Sequence, residues 1–252
     1  MTNKDLAELI FPNITKTIED YEKIYPERNL PEGAMVTRFA PSPTGFVHMG
    51  SLLASFISSK AAKDTKGVFY LRIEDTDQKR EVPNGIEGIV KDLKVFEIHF
   101  DEGALSREES IGEYGPYIQS ERKEIYHAFI KHLISIGMAY PCFCSEEHLA
   151  EIREMQEATK SRIGYYGRYA VCRNIKIEEA YTRIKNGEKF IIRLKSPGDF
   201  EKKIVVNDLV KGKIEFPEND LDIVIMKSDG LPTYHFAHLV DDHLMRTTHV
   251  TR

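Results

Sequence analysis

The sequence predicts an α/β fold in which a parallel sheet is interrupted by an inserted α+β module. Strand-like and helix-like segments alternate from residue 35 to residue 93, as they do at the start of a parallel βαβα unit. After residue 137 the pattern changes to short strands separated by turn residues. A buried-strand pattern returns at residues 222–226, which indicates that the chain then leaves the insertion.

These changes of pattern predict four segments. The first, which has a short apolar pattern and ends in breaker residues, is read as an N-terminal helical appendage. The predicted boundaries are 1–33 for the appendage, 34–137 for the first half of the sheet domain, 138–220 for the insertion and 221–252 for the start of the second half. Because residues 247–252 begin another strand pattern, we expect the fold to be truncated before its end.

The first unit of the sheet domain is a strand, a loop and a helix. Residues 35–40 predict a strand, and two prolines with a glycine in residues 41–45 predict a tight loop. Beyond His48 the apolar residues recur at helical spacing, at Met49, Leu52, Leu53, Phe56 and Ile57.

The second unit begins at residues 68–73, where a nearly continuous apolar run is typical of a strand covered on both faces. Asn84 can cap the helix that follows. A further helix is predicted at residues 121–136, with Ser120 as its cap and Gly137 at its end. Beyond it the predicted elements are short strands at 190–194, 204–206 and 214–216, the buried strand at 222–226 and a helix from Thr233.

The composition limits the classes of protein. The 252 residues include 35 Lys and Arg against 40 Asp and Glu, which gives a net charge of −5. This mild acidity disfavours a protein that coats nucleic acid without specificity, although a local basic face is compatible with it. No apolar run reaches the length of about 20 residues that a membrane span needs, and three cysteines cannot form a disulfide framework. We therefore expect a cytoplasmic protein with no membrane association and no obligate protein partner.

The loop before the first helix has the features of a phosphate site. A helix N-terminus presents free backbone N–H groups and the positive end of the helix dipole, both of which favour phosphate. His48 at this position can donate to a phosphate oxygen, and Gly50 allows a ligand to approach the backbone closely. A simple β–α turn with a surface histidine is the alternative.

Three motifs in order carry a family resemblance. They are residues 38–50 (RFAPSPTGFVHMG), residues 72–77 (RIEDTD) and residues 231–237 (LPTYHFA). Together they resemble the glutamyl-tRNA synthetases, which are class I aminoacyl-tRNA synthetases with a "HIGH" motif at the ATP site. In this chain the motif is His48-Met49-Gly50-Ser51, with Ser51 in place of the final His. The resemblance implies a Rossmann-like fold of the HIGH-type nucleotidyltransferases, with an inserted module that binds the acceptor end of tRNA.

The resemblance also implies roles for individual residues. It implies that glutamate is bound by Arg38, Ala40, Ser42, Glu74, Tyr234, His238 and Arg252. It implies that ATP, with Mg²⁺, is bound by Thr44, Gly45, His48, Gly50 and Ser51, the last three also being catalytic. Two of these roles have a direct physical reason. A guanidinium such as that of Arg38 can hold a carboxylate through two parallel hydrogen bonds, and Glu74 can accept from the substrate ammonium.

Cys142, Cys144 and Cys172 resemble the zinc site that some of these enzymes have in the inserted module. A structural zinc site normally has four protein ligands, and the fourth is not evident here. The candidates are His148, Tyr165, Tyr166 and Tyr169. A zinc site and a reduced, metal-free loop both remain open. The sequence Asp241-Asp242-His243 is read as a solvated helix end rather than as a metal site.

Residues 176–195 include six basic side chains, which a contact with the phosphates of tRNA would need. They are Lys176, Arg183, Lys185, Lys189, Arg193 and Lys195. Since a run of charge is usually a solvated face, the RNA contact depends on the resemblance.

The function that the resemblance implies is ATP-dependent activation of L-glutamate and its transfer to the 3′ end of tRNA(Glu). We expect this stretch to be a catalytic-domain fragment that is inactive alone. Two alternatives remain open: a glutamyl-queuosine tRNA(Asp) synthetase paralogue, and a non-catalytic fragment that binds tRNA or a ligand. Another nucleotidyltransferase with a HIGH motif is disfavoured by the amino-acid-binding motifs.

Overall fold

The computed structural model of the protein describes residues 1–45, 47–76 and 81–251. The helices in these ranges are α1 (Asn3–Ile10), α2 (Ile18–Ile24), α3 (Met49–Asp64), α4 (Gly85–Val95), α5 (Lys123–Ser135), α6 (Glu146–Ala158), α7 (Ile177–Lys185) and α8 (Tyr234–Leu244). The strands are β1 (Val36–Phe39), β2 (Val68–Leu71), β3 (Glu102–Ala104), β4 (Ser110–Ile111), β5 (Ala139–Cys142), β6 (Ile191–Leu194), β7 (Lys203–Asp208), β8 (Gly212–Pro217) and β9 (Val224–Met226).

The chain divides into two compact units. One consists of Met1–Thr15 and Ile130–Gly230, and the other of Lys16–Phe129 and Leu231–Arg252. The first residues of the chain therefore fold with the segment that holds the predicted insertion. The proposed division into appendage, sheet domain and insertion stays a prediction.

The unit that contains Lys16–Phe129 is built on the predicted parallel sheet. Its strand order is β1-β2-β3-β4, in which β1, β2 and β3 are parallel and β4 is antiparallel to β3. Gly67 is required where the chain enters β2, because a Cβ atom there would lie 1.9 Å from the carbonyl oxygen of Met35. The α/β class with a parallel sheet is confirmed.

The two side chains predicted to cap helices, those of Asn84 and Ser120, do not make the N-cap hydrogen bonds expected of them. Asn84 lies at the N-cap of α4, but its φ is 57° and its side chain makes no cap hydrogen bond. Ser120 does not cap α5, since a 3₁₀ turn at Gln119–Arg122 precedes that helix and the Ser120 hydroxyl donates to Asp75 at 2.6 Å. Gly137 follows α5 in a left-handed conformation with a φ of 76°, as its position predicted.

The unit that contains Ile130–Gly230 holds a second, antiparallel sheet. Its order is β5-β6-β9, and β7 and β8 form a separate hairpin. The strand predicted at 222–226 is thus β9, which pairs with β6 from the segment predicted as the insertion. An apolar run shows that a strand is buried but not which sheet it joins.

The segment after α8 runs beside β1 without forming the predicted strand. The N–H groups of Thr248 and His249 both donate to the carbonyl oxygen of Val36, at 2.9 and 3.1 Å. No strand is assigned within residues 247–251, and Arg252 lies outside the described residues. Among the helices that the structure describes, none has both the length and the apolar character that crossing a membrane requires.

Candidate active site

Arg38 and Glu74 lie at one edge of the parallel sheet. β1 and β2 are parallel neighbours, so their carboxyl ends share this edge, where α/β sheets bind ligands. The two segments that follow these strands also remain side by side. The N–H of Arg72 donates to the carbonyl of Phe39 at 3.0 Å, and the N–H of Glu74 donates to the carbonyl of Pro41 at 2.9 Å. Both predicted glutamate-binding side chains are buried, each being 6% exposed.

α8 supplies three further side chains at a spacing of four residues, and hence on one face of the helix: Tyr234, His238 and Asp242. The Asp242 carboxylate accepts from Nε and Nη2 of Arg38, both at 3.3 Å. Nε2 of His238 lies 2.5 Å from Nη2 of the same guanidinium. The structure thus brings together Arg38, Glu74 and His238, which the sequence predicted, and adds Asp242.

Arg72 is the centre of this cluster, and its side chain is fully buried. Nη1 of Arg72 donates to Asp242 at 2.7 Å, and Nη2 donates to Glu74 at 3.1 Å. Nη2 also lies 3.0 Å from Nδ1 of His238. Opposite charges of this kind largely compensate each other, which is what permits charged groups to be buried.

The prediction of a solvated helix end is wrong for Asp241, which is buried, and for Asp242, which is half-buried, whereas His243 is exposed as predicted. Asp241 is fully buried and accepts hydrogen bonds from Arg122 at 2.7 Å, from Gln119 at 2.9 Å and from Tyr126 at 2.9 Å. A charge run on a helix is buried when other elements supply its counter-charges, and those elements lie more than 100 residues away in the sequence. The sequence contains one signal of these buried carboxylates. Arg72 interrupts a buried apolar strand pattern, and a buried arginine requires buried partners of opposite charge.

Each ring nitrogen of His238 faces both a guanidinium and a carboxylate. Nδ1 lies 3.1 Å from Glu74, and Nε2 lies 3.1 Å from Asp242. Burial opposes a positive charge on the ring, but hydrogen bonds to Asp242 and Glu74 outweigh it and raise the pKa of His238. Burial likewise opposes the charge of Asp242, yet His238, Arg72 and Arg38 hold the pKa of its carboxyl well below the usual range.

The other predicted glutamate-binding residues are near this cluster in sequence but contribute less to it. Tyr234 is half-exposed, and its ring centroid lies 5.4 Å from that of His238. Ala40 and Ser42 belong to the loop that follows β1, where Ser42 is exposed. Arg252 lies outside the described residues, and so does Asp77, the last residue of the second motif.

The predicted phosphate site has an accessible helix N-terminus. His48 is the N-cap residue of α3, it is exposed, and its side chain makes no cap hydrogen bond. A Cβ atom added at Gly50 would meet nothing within 4 Å, and the same is true at Gly45. Thr44 is exposed and Ser51 is half-buried. The first turn of α3 has no acidic residue to oppose an anion.

The three cysteines converge in the unit that contains Ile130–Gly230. Their sulfur atoms lie within 4.8 Å of one another, and Cys144 is 3.7 Å from Cys172. The Tyr165 hydroxyl lies 3.2 Å from the sulfur of Cys144 and 3.5 Å from that of Cys142. Hydrogen bonds from Cys144 and Cys172 lower the pKa of the Cys142 thiol, which favours a thiolate in the cluster.

The other candidates for the fourth ligand have partners elsewhere. His148 faces Glu151 at 3.4 Å on the surface of α6. The Tyr166 hydroxyl donates to the carbonyl of Arg162, and the Tyr169 hydroxyl lies 3.4 Å from that of Ser161. Of the four candidates from the sequence, Tyr165 is the one whose hydroxyl lies within hydrogen-bond distance of the cysteine sulfur atoms.

Three of the six basic side chains in residues 176–195 have partners within the unit, one of them being Lys185, whose Nζ lies 5.1 Å from the ring centroid of Tyr181. Arg193 is buried, stacks 3.9 Å from the ring of Tyr165 and donates to the carbonyl of Asp222. Arg183 pairs with Glu188 at 2.5 Å. These two arginines therefore stabilise the unit, and an RNA contact would depend on the lysines.

Comparison with known proteins identifies the family. Residues 34–252 match the model of the family described as tRNA synthetases class I (E and Q), catalytic domain. The glutamate–tRNA ligase of Clostridium beijerinckii is 57% identical over all 252 residues, and that of Clostridium perfringens strain 13 is 54% identical. The chain spans about half the length of these curated relatives, 46% in each case.

Solved structures give the same result. The crystal structure of the glutamate–tRNA synthetase from Elizabethkingia anophelis is 37% identical to this chain, with a TM-score of 0.75 over 86% of this chain and 44% of that one. A glutamate–tRNA ligase from Elizabethkingia meningosepticum, in complex with its amino acid, has the same identity and TM-score. Since the family model matches most of the sequence, this chain belongs to the class I tRNA synthetases (E and Q), of which it contains catalytic-domain sequence.

Proposed function

We propose that this chain is part of a glutamate–tRNA ligase that activates L-glutamate with ATP and transfers it to tRNA(Glu). The observation that carries the proposal is the position of Arg38 and Glu74 at the carboxyl ends of two adjacent parallel strands in a chain of this family. An α-carboxylate oxygen of glutamate attacks the α-phosphorus of ATP, and pyrophosphate leaves. A hydroxyl of the terminal ribose of tRNA then attacks the carbonyl carbon of the adenylate, loses its proton and displaces AMP.

Arg38 is suited to hold the side-chain carboxylate of glutamate. Its Nε and Nη2 are fixed by Asp242 and His238, while Nη1 makes no hydrogen bond within the residues that the structure describes. A guanidinium whose orientation is already fixed loses little freedom when it binds a carboxylate. Glu74 supplies a buried negative charge for the substrate ammonium.

For the ATP phosphates we propose the N-terminus of α3, with Thr44, Gly45, His48, Gly50 and Ser51. The accessible N–H groups of the first turn and the His48 imidazole can donate to phosphate oxygens as charge develops on the leaving pyrophosphate. Catalysis of this kind consists of positioning and electrostatic stabilisation, and no side chain acts as a covalent nucleophile. Mg²⁺ is the proposed companion of the ATP phosphates.

For zinc we propose Cys142, Cys144, Cys172 and Tyr165 as the ligands. Sulfur atoms about 2.3 Å from a tetrahedral zinc ion are separated by about 3.8 Å, close to the 3.7 Å between Cys144 and Cys172. An oxygen ligand at about 2.0 Å would lie about 3.5 Å from each sulfur, which fits the Tyr165 distances of 3.2 and 3.5 Å. Bound there, the metal would fix the loop between β5 and α6 to the segment around Cys172.

For tRNA we propose that the unit containing Ile130–Gly230 contacts the acceptor end. The basic side chains of this stretch that could reach phosphates are the four lysines, Lys176, Lys185, Lys189 and Lys195, since Arg183 and Arg193 are engaged within the unit. The cytoplasm is the proposed location, because reduced cysteines suit that compartment.

The test of the proposal is tRNA charging by the protein at the full length of its curated relatives. We expect glutamate to be attached to tRNA(Glu) in a reaction that requires ATP. Charging of tRNA(Asp) instead would indicate the glutamyl-queuosine paralogue. Binding of tRNA without charging of either would indicate a non-catalytic protein.

A further inference from the structure

Residues 17–28 form a segment that we name the N-terminal strap. It contains α2 and lies before residue 34, where the match to the family model begins. The curated relatives that are 57% and 54% identical match this chain over its whole length, so they have this segment too. Two tyrosines of the strap, Tyr21 and Tyr25, are buried. The strap is therefore a packed part of its unit, although the family's catalytic motifs do not include it.

The strap holds Arg246, which directly follows the C-cap residue of α8, Met245. Arg246 has a φ of 61°, a left-handed conformation that glycine usually supplies after a helix. Its side chain explains the exception. Nη2 contacts the carboxylate of Glu22 at 2.5 Å and the carbonyl of Tyr25 at 2.6 Å, and Nη1 contacts Glu27 at 3.0 Å.

Arg28 makes a second contact with the same helix end. Its Nε donates to the carbonyl of Met245 at 3.0 Å, which satisfies one of the backbone acceptors that a helix leaves without a partner at its C-terminus. The rest of the guanidinium is fixed, because it binds both oxygens of Glu102, at 2.7 and 2.9 Å, and lies over the ring of Tyr114. The strap therefore holds α8 through a rigid, mostly buried arginine.

Glu22 extends this contact into the last turn of α8. Its Oε1 lies 2.5 Å from Nε2 of His243, the residue that directly follows Asp242. The backbone carbonyl of Asp242 in turn accepts from the N–H of Thr247, one residue after Arg246. A movement of this helix end would consequently move the carboxylate that fixes Arg38.

We propose that the N-terminal strap is a positioning element for the glutamate site, with Arg246 and Glu22 as its positioning residues. It sets the end of α8, so that Asp242 and His238 hold the guanidinium of Arg38 in the orientation that binds a carboxylate. This inference rests on the proposed function for its kinetic consequence. The proposed ATP site is at the N-terminus of α3, whereas the contacts of Arg246 and Glu22 lead to the end of α8, so the effect should be confined to glutamate.

The decisive variant is Arg246→Gly in the full-length protein. Glycine accepts the left-handed conformation at this position, so the backbone turn is retained while the contacts with Glu22, Tyr25 and Glu27 are lost. We expect the KM for glutamate to rise about threefold to thirtyfold while the KM for ATP stays within about twofold. An unchanged KM for glutamate would overturn the proposal. Equal rises in both constants would also overturn it, because they would indicate a general structural role.

Two further variants make the test specific. Glu32→Gln removes one exposed carboxylate from the same N-terminal region, and its kinetic constants should match those of the unaltered protein. Glu22→Gln should raise the KM for glutamate, as Arg246→Gly does. Because the two residues share one contact, the effect of the double variant on the logarithm of this KM should be smaller than the sum of the two single effects. If Arg246→Gly does not fold, Glu22→Gln decides the proposal by the same criterion.

Hydrogen–deuterium exchange separates this inference from the proposed function. We expect Arg246→Gly to increase deuterium uptake in Tyr234–Leu244, and this readout needs no catalytic activity. Unchanged uptake in α8 would overturn the positioning role. An unaltered protein that does not activate glutamate, combined with faster exchange in the variant, would contradict the proposed function and leave the structural role of the strap supported.

Discussion

The guanidinium of Arg38 and the carboxylate of Asp242 form an ion pair although 204 positions separate them in the chain. Nε and Nη2 of Arg38 both lie 3.3 Å from oxygen atoms of Asp242. Asp242 also accepts from Arg72 at 2.7 Å, so one carboxylate orients two buried arginines. An arginine that is restrained in this way is ready to bind a second carboxylate through its remaining donor.

Replacement of Arg38 tests its role in binding glutamate. We expect Arg38→Ala to raise the KM for glutamate on the order of a hundredfold and to affect the KM for ATP much less, because it removes the partner of the substrate carboxylate. Steady-state kinetics of ATP–pyrophosphate exchange measures both constants. Arg38→Lys keeps the charge but loses the planar guanidinium, so its KM for glutamate should lie between that of the unaltered protein and that of Arg38→Ala. Equal effects on both substrates would indicate a structural role for Arg38.

Replacement of Asp242 tests the restraint on the two arginines. Asp242→Asn should lower the free energy of unfolding by about 1–3 kcal/mol, because it removes a charged hydrogen-bond acceptor from mostly buried guanidinium groups. Urea denaturation monitored by circular dichroism measures this change. The matched control is Asp64→Asn, which breaks an exposed pair with Lys60 and should change the same quantity by less than about 1 kcal/mol. Equal destabilisation by both variants would contradict the account.

The stabilisation that His238 provides should depend on pH. Its pKa is raised above the ordinary value of 6.5, so the folded state binds the proton more tightly than the unfolded state does. The stabilisation from this site is complete below about pH 6.5 and is lost as the pH rises through the higher folded pKa. The free energy of unfolding of the unaltered protein, relative to His238→Asn, should therefore be larger at pH 6 than at pH 9. A difference that grows with pH would refute the arrangement of charges around His238.

The sequence was sufficient for the elements whose pattern is local. β1, β2, α3 and α8 were predicted near their observed positions, because strand runs, helical spacing and turn residues are short-range signals. The motif at residues 72–77 also identified Glu74, which the structure brings within 3.1 Å of His238.

The remaining features depend on contacts between residues that are distant in the sequence. The local sequence predicts a solvated Asp242, because nothing near it in the chain reveals Arg38 and Arg72, its partners more than 160 positions away. β9 was recognised as a strand, but its partner β6 is determined by the fold of the whole unit. The convergence of Cys172 with Cys142 and Cys144 likewise depends on the folded loop that contains Tyr165.

Metal analysis tests the zinc proposal. Purified protein should contain about one zinc ion per chain, and Cys172→Ser should lose it, because three protein ligands hold a structural zinc ion less well than four. Tyr165→Phe should weaken zinc binding, whereas Tyr166→Phe, which removes a hydroxyl bound to the carbonyl of Arg162, should not. Absence of zinc from protein prepared with the metal, or equal binding by both tyrosine variants, would contradict the assignment.

The comparison of glutamate with glutamine tests the central claim most directly, because the two differ at the group that Arg38 is proposed to bind. The measurement is ATP–pyrophosphate exchange by the protein at the full length of its relatives, in the presence of tRNA. We predict that kcat/KM for glutamate exceeds that for glutamine by roughly a hundredfold or more, since a site built around a carboxylate leaves its charge unpaired when an amide binds. Equal exchange with both amino acids, or none with glutamate, would contradict the account.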